Sequence, residues 1–229
     1  MTVLHLADEG EAADLAAFLS RLLHYDRSAA VRLQAAGTAL AVFGRPPSFE
    51  VLAVRAARLA KPYENGLDVT LDVTVSAGEL LETVDERAAV ARVPGAVTGP
   101  PWAGVLPPRG GWRAEPGLPA PDALRALVSA AVAEFRTRTG ELAPEARTRA
   151  ELDRIGGEIW SRTVGDIGLP VRAVHAAQSL GFLRPPGASG SREDAPKLFS
   201  SGSWLRLRTP YGSVALRRAG TGALGISVR

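Results

Sequence analysis

Residues 94–121 hold eight prolines and six glycines, and this segment limits what the whole chain can fold into. Proline removes a backbone donor and glycine loosens the chain, so neither a helix interior nor a central strand runs through such a stretch. The sequence is thereby divided into two parts, 1–93 and 122–229, which is also what 229 residues suggest. Trp102 and Trp112 lie inside the segment. One reading is a connector that lies on a surface and tucks both indoles against it. The other is an exposed loop, Gly99 to Gly104, that binds a ligand or partner.

The N-terminal part reads as one helix and a small antiparallel sheet. Leu15, Phe18, Leu19, Leu22 and Leu23 recur at helical spacing, which predicts a helix over 9–25 capped by Asp8. Ala30 to Phe43, broken near Gly37, reads as a hairpin, and Phe49 to Leu59 as a further strand. In Leu67 to Val75 the residues Leu71, Val73 and Val75 alternate with Asp68, Asp72 and Thr74, a strand with one wet face. Gly44 to Ser48 and Lys61 to Gly66 read as turns, and a meander packed on the helix is the expected assembly. Ser76-Ala-Gly-Glu79 reads as a capping box opening a helix to about Val90.

The C-terminal part reads as helical, with a terminal hairpin. Helices are expected over 122–139, stopped by Gly140, and over 144–161, started by Pro144 and weakened at Gly156-Gly157. A third runs from Pro170 to a stop at Gly181. Residues 184–203 are rich in breakers and read as a loop; Trp204 to Arg218 turn at Thr209-Pro-Tyr-Gly-Ser213. The fold class is thus α+β.

Composition excludes several functions. Hydrophobic residues at 46% and charged residues at 22% are ordinary for a chain that buries a core, which argues against general disorder. The absence of cysteine excludes disulfides, thiol nucleophiles and Cys-ligated metals. His5, His24 and His175 lack metal-ligand spacing. Gly187 to Ser191 falls short of a nucleophile elbow and lies in a loop. Asp68 and Asp72 are read as a wet sheet face rather than an acid–base pair. Gly220 to Gly225 matches G-x-G-x-x-G, but no helix can form from the four residues after it, so it is not read as a nucleotide fingerprint. No catalytic constellation and no cofactor are expected. The N-terminus lacks the basic region of a secretory signal and no apolar run is long enough for a membrane span, which predicts a cytoplasmic protein.

Charge is distributed unevenly. Of the 27 basic residues only Lys61 and Lys197 are lysine, the codon bias of a GC-rich bacterial genome, so arginine abundance alone says little. Position says more: residues 1–115 carry 11 basic and 14 acidic side chains (net −3), residues 116–229 carry 16 and 10 (net +6), and none after Ala195 is acidic. A basic half points to an anionic partner or to a solvated surface.

On the helix from Pro170 to Gly181, Val171, Val174, Ala177 and Leu180 share one arc, and Arg172, His175 and Gln178 the other. Arg and Gln can pair bidentately with guanine and adenine edges. Together with the hairpin, residues 144–218 resemble the winged helix-turn-helix class. That resemblance implies a DNA-binding transcription regulator, with Arg172, His175 and Gln178 meeting bases and Arg206, Arg208, Arg217 and Arg218 meeting phosphates of duplex DNA. The departure is that residues 184–203 separate the helix from the wing. A structural or interaction protein, such as a homo-oligomer, and an enzyme of unrecognised type stand beside it.

Overall fold

The structure is a computed structural model, and it describes residues 2–61, 71–185 and 195–218. The fold is α+β, built on one antiparallel eight-stranded sheet with helices against one face.

The first half begins with β1 (Val3–His5), which pairs with a later strand at Val90–Arg92, and α1 (Glu9–Tyr25). Asp8 accepts the Glu11 amide at 2.9 Å, so the expected cap is the observed one. The predicted stripe of α1 is the buried one, apart from half-buried Leu23. Strands β2 (Ala30–Ala36), β3 (Ala39–Gly44), β4 (Leu52–Arg58) and β5 (Leu71–Ser76) follow. Ser76 caps α2 (Ala77–Glu82) through the Glu79 amide, but this helix ends well before Val90, where β6 (Val90–Arg92) begins.

After the connector, β7 (Arg113–Glu115) leads to α3 (Pro121–Gly140), α4 (Arg149–Trp160) and α5 (Val171–Ser179). Then come β8 (Lys197–Ser201), β9 (Trp204–Thr209) and β10 (Gly212–Arg217). Pro144 opens only a 3-10 turn; α4 starts later, where Thr148 accepts the Glu151 amide. Gly156-Gly157 does not end α4, and Gly156 leaves room for the neighbouring rings of Trp160 and Phe135. Strand β8 lies inside the stretch read as a loop. The expected turn over 61–66, the motif at 187–191 and the one at 220–225 lie outside the described residues, apart from Lys61; so do residues 67–70 of the expected strand.

Strand order is β5-β2-β3-β4-β10-β9-β8-β7. This corrects the expected meander: β10 takes the place beside β4, pairing Val54 with Ser213 and Leu52 with Ala215, while β5 lies outside β2. The two expected parts, 1–93 and 122–229, meet in this sheet. Both halves share the sheet, and one buried cluster contains Phe18 and Leu22 together with Val174, Leu180, Leu207 and Val214. Each half contributes a helix followed by three hairpin-linked strands (α1, β2–β4; α5, β8–β10), meeting antiparallel at the centre. Among the described residues no helix is long and apolar enough to cross a membrane.

Candidate functional site

The connector occupies the sheet face opposite the helices. Trp102 and Leu106 pack on Phe43, Leu52 and Val54, and the Arg32 guanidinium donates to the Ala103 carbonyl. Trp112 donates from Nε1 to the Pro108 carbonyl at 2.9 Å, its ring 5.8 Å from the Arg206 guanidinium carbon. The packed reading of the connector therefore matches the geometry. The strap explains why Leu52, Ala53, Val54 and Arg55 are buried in succession: β4 is covered on both faces.

The seven residues expected to touch DNA divide between the two sides of the sheet. Arg172, His175 and Gln178 lie within the helix layer. The Arg172 Nε is 3.4 Å from Glu50, an ion pair without hydrogen-bond geometry. His175 is stacked on Trp160 at 4.6 Å and meets the edge of Phe49 at 5.1 Å. Gln178 buries its carbonyl oxygen. The expected solvent-facing helix is thus partly covered on its polar side as well, and β9 and β10 are interior strands of the sheet rather than a projecting wing. Arg218 faces Glu115 at 3.4 Å.

Arg206, Arg208 and Arg217 do share a face. Along β9, Leu205 and Leu207 point into the helix-side core, so Trp204, Arg206 and Arg208 point to the strap side. The register sets Lys197 and Ser213 opposite Arg208 and Arg217 opposite Trp204, on that same side. Lys197, Arg206 and Arg208 line one basin of about 570 Å³, with Ser213 and Thr209 on its wall. The Arg206 Nε donates to Ser213 Oγ at 2.9 Å. Burial, and then the neighbouring Arg208, lower the Arg206 pKa from its ordinary value. Among the described residues none of the three cations forms an ion pair, whereas Arg162, Arg172 and Arg184 each face a carboxylate. Sequence reasoning missed Lys197. Its only signal was membership of the acid-free stretch after Ala195.

Asp72 is occupied by Arg32 at 2.7 Å and Gln34 at 3.0 Å, and the Arg32 hydrogen bond holds its carboxyl below the usual range. Among the described residues there is no group of three or more acids and histidines placed to hold a metal ion.

The half-buried His175 imidazole carries a prediction of its own. Burial lowers the His175 pKa from the ordinary 6.5. The unfolded chain therefore takes up the proton first as pH falls. The stability it contributes is intact above about 6.5 and declines below, no more steeply than about 1.4 kcal/mol per pH unit. Urea unfolding of His175→Phe, which keeps the stack, is expected to show a shallower loss between pH 7 and 5 than the parent. Parallel profiles would exclude this role.

Residues 107–221, just over half of the chain, match the family model "Domain of unknown function (DUF8185)", and residues 1–104 match "Domain of unknown function (DUF8010)". The junction falls within the strap. No curated protein matches. Among solved structures the chain is similar to the DNA polymerase sliding clamp from Pseudomonas aeruginosa, at 12% identity and a TM-score of 0.45, over 95% of this chain and 64% of that one. The same clamp with ligand is similar at 12% identity and a TM-score of 0.42, over 90% and 62%. The chain spans less than two thirds of either clamp's length.

Proposed function

The chain belongs to the DUF8185 family, and from that premise we propose that it is a non-catalytic nucleic-acid-binding protein acting through the strap side of its sheet. The observation that carries this reading is the basin ringed by Lys197, Arg206 and Arg208, with Arg217 further along the same face. A concave site with low-dielectric walls focuses the field of its cations, and Arg206 is already partly stripped of water. Phosphate oxygens are acceptors suited to guanidinium forks and to the Lys197 ammonium. The contact surface is therefore the sheet, not the helix that a winged-helix reading would use.

Fluorescence anisotropy with mixed-sequence DNA at about 50 mM salt tests it. Binding in the micromolar range or tighter is expected, with log K falling linearly against log salt as phosphate contacts release counterions. Lys197→Ala combined with Arg206→Ala and Arg208→Ala should remove most of that slope. Arg218→Ala, whose partner is Glu115, should change little. No binding up to tens of micromolar would overturn the reading.

A second reading, contact with another protein or a second copy, is favoured by one feature. Val105 is 50% exposed and, with half-buried Trp102 and Trp204, borders a separate cleft of about 360 Å³. Light scattering separates a monomer from an oligomer, and Val105→Ser should dissociate the latter.

A further inference from the structure

The cationic basin is one end of a longer groove. A second cavity of about 420 Å³ adjoins it and shares Val54, Ala56 and Arg206 with it. Its floor is sheet carrying small side chains, Ala39, Ala41 and Ala56, and its wall is the strap at Leu106, Pro107 and Pro108. Gln34 and Arg109 stand at its rim.

We propose that this groove holds one unpaired nucleotide, the phosphate among Lys197, Arg206 and Arg208 and the base on the alanine floor beside Leu106–Pro108. The proposal rests on the nucleic-acid reading above and specifies which form is bound. Three features lead to it. A cationic compartment opens directly into an apolar one, and a nucleotide has that same division between a charged phosphate and a base whose faces are poorly hydrated. Between the larger Phe43, Val54 and Leu71, the side chains of Ala39, Ala41 and Ala56 end at Cβ, so a flat group can lie there against the sheet with the strap prolines beside it. The rim is polar: Gln34 donates from its amide nitrogen to Asp72 at 3.0 Å, which leaves its carbonyl oxygen able to accept from an exocyclic amine, and Arg109 can donate to a ring nitrogen or carbonyl. A base stacked and paired in a duplex cannot enter without being flipped out, at a cost of a few kcal/mol. The groove therefore discriminates against duplex.

A free nucleoside monophosphate and a nucleotide within a single strand present the same chemistry, so both are tested on the full chain. Anisotropy at about 50 mM salt compares a labelled single-stranded 12-mer of mixed sequence with the blunt duplex of the same sequence, and adenosine and guanosine monophosphates serve as competitors. The single strand is expected to bind about tenfold more tightly than the duplex. Ala41→Leu fills the floor from a half-buried position and should cost single-strand binding about tenfold while leaving duplex binding unchanged. Ala56→Leu, at an exposed position, is the second floor variant should the first lower the melting temperature. Full competition by a monophosphate at concentrations near its own Kd identifies the free nucleotide as the occupant; weak competition identifies the strand. Equal binding of both DNA forms, or unchanged single-strand affinity in both floor variants, overturns this inference and leaves the phosphate reading standing. Loss of binding to every probe overturns both.

Discussion

Gly212→Ala is expected to lower the unfolding free energy by about 2–6 kcal/mol. Gly212 opens β10 at φ +155°, a backbone that side chains rarely adopt. A Cβ built there would lie 2.5 Å from the Phe182 ring. That ring has nowhere to go: it is 2% exposed and stacks on Phe18 of α1 at 5.7 Å. The added methyl therefore presses on the core shared by both halves, or it reopens the β9–β10 turn. In a chain of this size each kcal/mol shifts the melting temperature by about 2–4 °C, so calorimetry and urea unfolding both resolve the change. Gly202→Ala is the control. Its φ is also positive, at +54°, but no atom lies within 4 Å of the added carbon, so only backbone strain is felt. If the two variants cost the same, packing against Phe182 is not what requires glycine. Phe182→Leu in the Gly212→Ala background should recover part of the loss.

The second large effect centres on Arg55, 5% exposed on the helix side of β4. Its Nη2 donates to Glu11 at 2.6 Å and to Asp14 at 3.3 Å, both on α1, and Nη1 donates to the Tyr211 carbonyl at 3.2 Å. Arg184 joins the same cluster, pairing with Asp14 at 2.6 Å and lying over the Tyr211 ring. These contacts tie the first half's helix to the β9–β10 turn of the second. Arg55→Ala leaves a cavity and two half-buried carboxylates short of a partner, and is expected to cost about 3–5 kcal/mol. Arg55→Met with Glu11→Leu replaces the pair by apolar groups of similar length and should cost less than the sum of the two single changes. Additive single and double variants in urea unfolding would show that the ions are not coupled.

Much of the local architecture was legible in the sequence. Asp8 and the leucine stripe defined α1, Gly37 the β2–β3 turn, Gly181 the stop after α5, and Pro210-Tyr211 the last hairpin. Each of these is decided within a few residues, by a side chain meeting a nearby amide or by a backbone angle that glycine tolerates. Strand β8 was missed because the proline, glycine and serine around it set the reading of its whole neighbourhood. The start of α4 was missed because Pro144 outweighed the Thr148 and Glu151 capping pair.

The candidate site was only half legible. Arg206, Arg208 and Arg217 follow from strand alternation, but which way that face looked did not. Arg172, His175 and Gln178 lie on the polar arc of a helix, and that arc was read as facing water. It faces Glu50, Phe49 and Trp160 instead, because polarity specifies the kind of neighbour and not whether the neighbour is solvent.

The chain by itself determined its helices, most of its strands, the alternation that separates basic from apolar positions, and the break at the connector. Tertiary structure alone decided that β4 and β10 join the halves through Val54 and Ser213, that the connector straps the open face, and that Lys197 meets Arg206 and Arg208. Such pairings span a large fraction of the chain. They are chosen by which arrangement buries the most apolar surface against the entropy of closing long loops, a balance that no local window of sequence contains.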